Sequence, residues 1–174
     1  MSRLGPMFVG MLAMLVCVAP LSAQRAQAGA TGTPESVLLR FQIIQADGFT
    51  ETDPAIADVS EVLRELFRFR GYRLAAESVV RVMSGAKFLQ KTSDHEGVEY
   101  VIQGDAMMHG DGRSDSVRLG VELWRERPQA GGPTSVQLIQ TSLTVPIGQT
   151  VVVGSARTSP DVPTTILVVR PEAR

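Results

Sequence analysis

The side chains best equipped for chemistry share one window, "GDAMMHGDGRSDS", which carries Asp105, His109, Asp111 and Asp115. Carboxylates beside an imidazole can ligate calcium or zinc, or take a proton from water in a hydrolysis. Their spacing, however, is not that of an EF-hand, which needs a glycine at the sixth position and a distal bidentate glutamate. The only other histidine, His95, precedes Glu96 in "SDHEG", but no second histidine follows four residues on, so the helical zinc-protease pattern is missing. There is also no G-x-S-x-G, and neither histidine stands in a recognisable order with a nucleophile. Asp105, His109, Asp111 and Asp115 therefore stand as candidate metal ligands on a hairpin loop, and no catalytic residue, cofactor or resident metal is assigned.

A second stretch, "LTVPIGQTVVVGSAR", raises the question of phosphate binding through Gly148 and Gly154. A phosphate cradle needs backbone N–H groups at the N-terminus of a following helix, often with a lysine. Here a β-branched run, Val151 to Val153, follows instead, and no lysine is present. Pro146, Gly148 and Gly154 are read as turn residues, with Gly148 at positive φ. The expectation is a sheet hairpin.

These residues must be positioned by a scaffold that hydrophobic periodicity outlines. Val37 to Ala46 alternates apolar and polar residues, as a half-buried strand does. Asp53 and Pro54 form a helix start, because the aspartate can cap free N–H groups and proline at the first position forfeits a donor that would be unpaired anyway. Ile56, Val59, Val62, Leu63, Leu66 and Phe67 then keep the 3.6-residue period, and Gly71 supplies a stop, which predicts an amphipathic helix over Pro54 to Arg70. Arg64, Arg68, Arg70 and Arg73 would crowd its C-terminal end, where cations complement the macrodipole. Beyond Gly71 the chain reads as sheet: Tyr72 to Met83, Val98 to His109, Ser116 to Glu126, Ser135 to Val145, Gln149 to Ala156 and Thr165 to Val169, with an ambiguous stretch near Lys87. No crossover helix separates these strands, so they pair antiparallel. "ILVV", Ile166 to Val169, is apolar on both faces and suits a doubly covered strand. The fold class is α+β: a mainly antiparallel sheet of about six or seven strands, with one amphipathic helix near the N-terminus of the mature domain.

Met7 to Val18 is an apolar run behind Arg3, and Ala19-Pro20-Leu21-Ser22-Ala23 follows it, the order of a secretory signal. The expected division is a signal peptide over 1–23, a flexible lead over 24–34 and a single α+β domain over 35–174; Ala26-Gln27-Ala28 is a second cleavage candidate. The single cysteine, Cys17, lies inside that signal, so the mature chain would contain neither disulfides nor thiolate chemistry. About 150 residues remain, enough for one core. The formal net charge of −1 excludes a global basic field of the kind nucleic acid attracts.

The residues Val145, Gly148, Gln149, Thr150, Val153 and Gly154, followed by Ile166 to Pro171, resemble a hairpin in the C-terminal β-domain of bacterial secretins. Ser155 stands where secretins usually repeat glycine, and the long β-domain that builds their ring has no counterpart in this chain. The wider order of a strand, "DPAIADVSEVLRELFRFRGYRLA", several strands and a closing Gly-Gln-Thr-Val-Val-Val-Gly stretch is similar to small exported bacterial proteins of uncharacterised function. That likeness implies fold and export and brings no catalytic residues.

The expected function is an exported, non-enzymatic binding or structural module of the periplasm, cell envelope or extracellular space. Its expected partner is an envelope protein, met through an open sheet edge, with no nucleic acid and no permanent membrane span. The alternatives are a secretin-like accessory subunit and a metal-dependent hydrolase built on Asp105, His109 and Asp111.

Overall fold

In the computed structural model, residues 36–110, 115–127 and 134–172 are described. The expected signal peptide and lead, and Asp111 of the candidate ligand set, lie outside them. Eight antiparallel strands form two four-stranded sheets. They are β1 (Ser36–Ala46), β2 (Tyr72–Met83), β3 (Ala86–Ser93), β4 (Glu99–Gly110), β5 (Asp115–Arg127), β6 (Thr134–Pro146), β7 (Val151–Ala156) and β8 (Thr164–Glu172). The first sheet runs β2-β1-β8-β7 and the second β3-β4-β5-β6.

Eight strands replace the six or seven expected: the ambiguous stretch at Lys87 is β3, added to the seven spans read from the sequence. Only Phe88 of its eight residues is buried. A strand at a sheet edge with one wet face leaves too few apolar residues for alternation to be read. No helix of the described residues is long and apolar enough to cross a membrane.

The two sheets face each other across the main core. Leu39, Phe41, Ile43, Leu167 and Val169 of the first meet Tyr100, Ile102, Leu119, Leu123 and Val145 of the second. Phe41 and Phe88 put an aromatic pair across it, with ring centroids 5.7 Å apart. A smaller core lies on the opposite side of the first sheet, where Ile44, Ala46, Ile166 and Val168 pack against Ile56, Val59 and Leu63. The double-faced "ILVV" is thus explained: β8 sits between β1 and β7 and is covered by strands on one side and by helix on the other.

The helix opens as expected. Asp53 accepts the Ala55 N–H at 2.9 Å through its side chain, a single 3-10 turn spans Pro54–Ile56, and α1 follows over Ala57–Leu66. It ends four residues before Arg70. Phe67 is extended and stacks on Phe69, with centroids 6.1 Å apart, and Phe69 meets the edge of Tyr72. The buried Tyr72 hydroxyl lies 3.0 Å from the carbonyls of both Leu63 and Phe67, so a tyrosine from β2 supplies the donor that the helix end lacks. Burial pushes the Tyr72 phenol above its usual range. Of the four arginines only Arg64 lies in the helix, where it donates to Thr52 at 3.3 Å; Arg68 and Arg70 are in the following coil and Arg73 is in β2.

Gly71 is therefore not the helix stop. A Cβ there would stand 2.3 Å from the Glu51 carbonyl oxygen, because the 51–53 segment lies against β2: Tyr72 N–H donates to Glu51 and Asp53 N–H to Tyr72. Its missing side chain permits that close approach.

The stretch around Gly148 is a turn but not a hairpin. β6 belongs to the second sheet, where it pairs with β5, and β7 belongs to the first, where it pairs with β8. The turn therefore passes the chain from one sheet to the other. Pro146 is the last residue of β6, and Ile147 and Gly148 are the central pair, closed by Gln149 N–H on the Pro146 carbonyl at 3.2 Å. Gly148 has φ +84°, the value expected of a turn glycine in that position. Its N–H donates to the Pro171 carbonyl at 2.7 Å, so the group a phosphate cradle would need already has a partner. Gly154 is not a turn residue: it lies inside β7 beside a register shift between Val152 and Gly154, with its Cα hydrogen turned toward Ile139.

Candidate functional site

The helix covers part of the outer face of the first sheet, leaving Val79 and Met83 of β2 exposed, whereas the outer face of the second sheet is open among the described residues. Alternation decides what it displays. Val117, Leu119, Val121 and Leu123 of β5 point into the core, so Arg118, Gly120, Glu122 and Trp124 point outward. Register then aligns them with their neighbours: Gln103 faces Glu122, Asp105 faces Gly120 and Met107 faces Arg118, while β3 places Leu89 beside Gln103 and Lys87 beside Asp105.

The centre of this face is hollow because Gly120 leaves an outward position without a side chain, while Gly104, on the inward register opposite Val121, lets the two middle strands close up. The two backbones approach so closely at Gly104 that a Cβ there would lie 1.9 Å from the Gly120 carbonyl oxygen, and a Cβ on Gly120 would meet Asp105 Oδ1 at 2.7 Å. Two shallow depressions of about 550 and 490 Å³ result, sharing Gly104, Asp105 and Glu122. Arg118, Gln140 and Ser142 rim the first, and Lys87 and Leu89 the second.

Glu122 organises the rim. Its carboxylate accepts from Gln103 Nε2 at 2.8 Å, from Trp124 Nε1 at 3.1 Å and from Gln140 Nε2 at 3.4 Å, and Gln137 donates onward to Gln140 at 2.9 Å. The Gln103 bond foremost, then that of Trp124, holds the Glu122 carboxyl below the usual carboxylate range, since donors favour the charged form. Trp124 is the only tryptophan in the chain, so its fluorescence should report this titration. An acid titration should show an emission change with a midpoint below the roughly 4.3 of a free glutamate, and Glu122→Gln should remove that transition. By linkage, a lowered folded-state value contributes stability above the unfolded value and loses it as pH falls through the folded one, so this pair should loosen only in acid.

The residues singled out for metal chemistry do not converge. Asp105 lies in the depression; His109 is four residues further along β4, roughly 13 Å away at strand spacing. The His109 ring packs back on its own strand, with Nδ1 3.2 Å from the Met107 carbonyl oxygen. Asp115 opens β5 opposite Gly110. Among the described residues no three metal-ligating side chains come together. Asp105, His109 and Asp115 are strand residues rather than hairpin-loop residues, and Asp111 lies outside the described residues.

A second polar group, not foreseen from the sequence, sits at the end of the sandwich. Asp94 is buried in the turn before β4, where Oδ1 accepts the N–H groups of Glu96 and Val98, both at 2.9 Å. The neighbouring Tyr100 hydroxyl accepts from Gln45 at 3.4 Å, and buried Arg125 donates to Thr158 at 2.8 Å. Burial raises the Tyr100 phenol above its usual range, offset in part by the Gln45 bond. The side-chain-capped turn made by Asp94 in "SDHEG" was the available signal, but alternation, which sets Tyr100 and Arg125 inward, could not show that they lie beside it.

No protein-family model matches the chain, and no curated protein shows significant similarity to it.

Proposed function

We propose that the chain is an exported binding module of the cell envelope or extracellular space, and that it meets a protein partner through the outer face of β3-β4-β5-β6. The leader-like first 23 residues support the export. The observation that carries the binding reading is the hollow itself: α1 covers only part of the first sheet's outer face, leaving Val79 and Met83 exposed, while the second sheet's outer face presents a glycine-floored depression. A rim of hydrogen-bonding side chains surrounds it, and Leu89 and Met107, 60% and 48% exposed, flank it. Large apolar side chains around a polar, adaptable centre are the composition of a recognition surface rather than of an idle one.

The test compares three proteins as bait in envelope extract. Wild type should recover a stoichiometric partner, Leu89→Asp with Met107→Asp should lose it, and Val79→Asp, on the other sheet, should keep it. Recovery of no partner, or equal recovery by all three, would overturn the proposal.

A further inference from the structure

Each sheet ends in strands whose outer backbone groups invite another strand, and proteins ordinarily guard such edges with charge, brevity or distortion. β2 carries Arg73, Glu77 and Arg81, and β3 carries Lys87 and Lys91. β7 is only six residues long and bulged. β6 differs from all three. It is 13 residues long, "TSVQLIQTSLTVP", and contains no charged side chain, in a chain that is 20% Asp, Glu, Lys and Arg. Among the described residues it pairs only with β5. Its one irregularity is a register shift that leaves Leu138 between the partners of Leu123 and Trp124, beyond which Ile139 to Val145 form an unbroken ladder.

We propose that this edge joins two copies of the chain, β6 pairing antiparallel with β6 across a two-fold axis within Ile139 to Val145. The occupant follows from self-complementarity. In a two-fold interface each residue meets the same surface on its partner, so charges on an edge strand would be brought together with like charges, and β6 has none to oppose. Its outward residues Gln140, Ser142 and Thr144 are uncharged hydrogen-bonding side chains suited to cross-strand pairing. Its inward Leu143 packs on the main core but is only half-buried, and a second β6 would complete that burial. The product is one continuous eight-stranded sheet in which the two hollows lie on either side of the joint. Gln140 and Ser142 also rim one depression, so the pairing is tested by oligomeric state and not by partner capture, and it needs neither Leu89 nor Met107.

The full chain, as its producing cell exports it, is measured by sedimentation across a concentration series, with amide hydrogen exchange at both ends of that series. Wild type should form dimers, with amide protection in β6 rising with concentration. Ser142→Lys with Thr144→Lys should weaken the dimer at least tenfold while keeping the Trp124 emission of a folded monomer. Val79→Lys with Met83→Lys, two lysines on exposed positions of β2, should leave the dimer intact. A monomer at all concentrations overturns the proposal; if its β6 amides are then protected throughout, a segment of the same chain occupies the edge. A dimer indifferent to the β6 lysines overturns it equally. Should the lysine pair unfold the protein, Thr144→Glu alone gives the same like-charge test.

Discussion

Ile166→Ala and Leu167→Ala should each destabilise the protein by about 2–5 kcal/mol, although the two residues are adjacent and point in opposite directions. Both are fully buried. In a strand with one wet face, one of two neighbours tolerates truncation, since only the inward side chain leaves a cavity. Here Leu167 is held in the core between the sheets and Ile166 in the core beneath α1, so no tolerant neighbour exists. At roughly 2–4 °C per kcal/mol for a domain of this size, each should lower Tm by several degrees to more than ten. Two further truncations sharpen the test. Val59→Ala should be additive with Leu167→Ala, whose surroundings it does not share, and non-additive with Ile166→Ala, whose core it does. Thermal melts of the single and double variants decide the matter; a harmless Ile166→Ala would refute the helix-covered face.

Gly104→Val should cost about 3 kcal/mol or more, the upper range for forcing volume into a packed site. The reason lies in what the new atoms would strike. A Cβ at 104 meets the Gly120 carbonyl, part of the neighbouring strand's backbone, so relief requires β4 and β5 to separate. Gly120→Ala makes the contrast: its Cβ meets the end of the Asp105 side chain, which can rotate away. The alanine at 120 should therefore cost much less, yet it should fill the hollow and weaken partner capture. Urea denaturation of both variants, set beside the capture experiment, separates a residue that holds the strands together from one that keeps the hollow open. Equal destabilisation by the two would contradict the geometry.

Much of the scaffold was legible because it depends on neighbours in sequence. Alternation placed β1 and β2 within a residue of their ends, the apolar run Ile166 to Val169 announced a strand covered on both faces, and Asp53-Pro54 marked where the helical segment begins. Each of these signals is local: a side chain's face is set by its position in a two- or 3.6-residue period, and a cap is set by the next three residues. The missing strand and the shortened helix fail for the converse reason. β3 buries too little to show a period, and α1 stops where Phe67 and Phe69 turn to meet Tyr72, a contact with a strand that the helical period cannot contain.

The candidate site was not legible at all as a site. Gly104 and Gly120 are each unremarkable in sequence, and the hollow exists only because the β4–β5 register sets Asp105 opposite Gly120 and Gln103 opposite Glu122. The carboxylates and histidine that looked close together in sequence are spread along strands by the same register. The turn at Gly148 shows the division most clearly. Its glycine and its bend follow from the residues themselves, since few side chains accept φ near +84°. Whether the chain leaving the bend folds back beside β6 or crosses to the other sheet does not follow, because both routes use the same turn. That choice belonged to the tertiary structure: Val151 and Val153 bury themselves against the main core only when β7 pairs with β8, and burial of that apolar surface outweighs any preference carried by the turn.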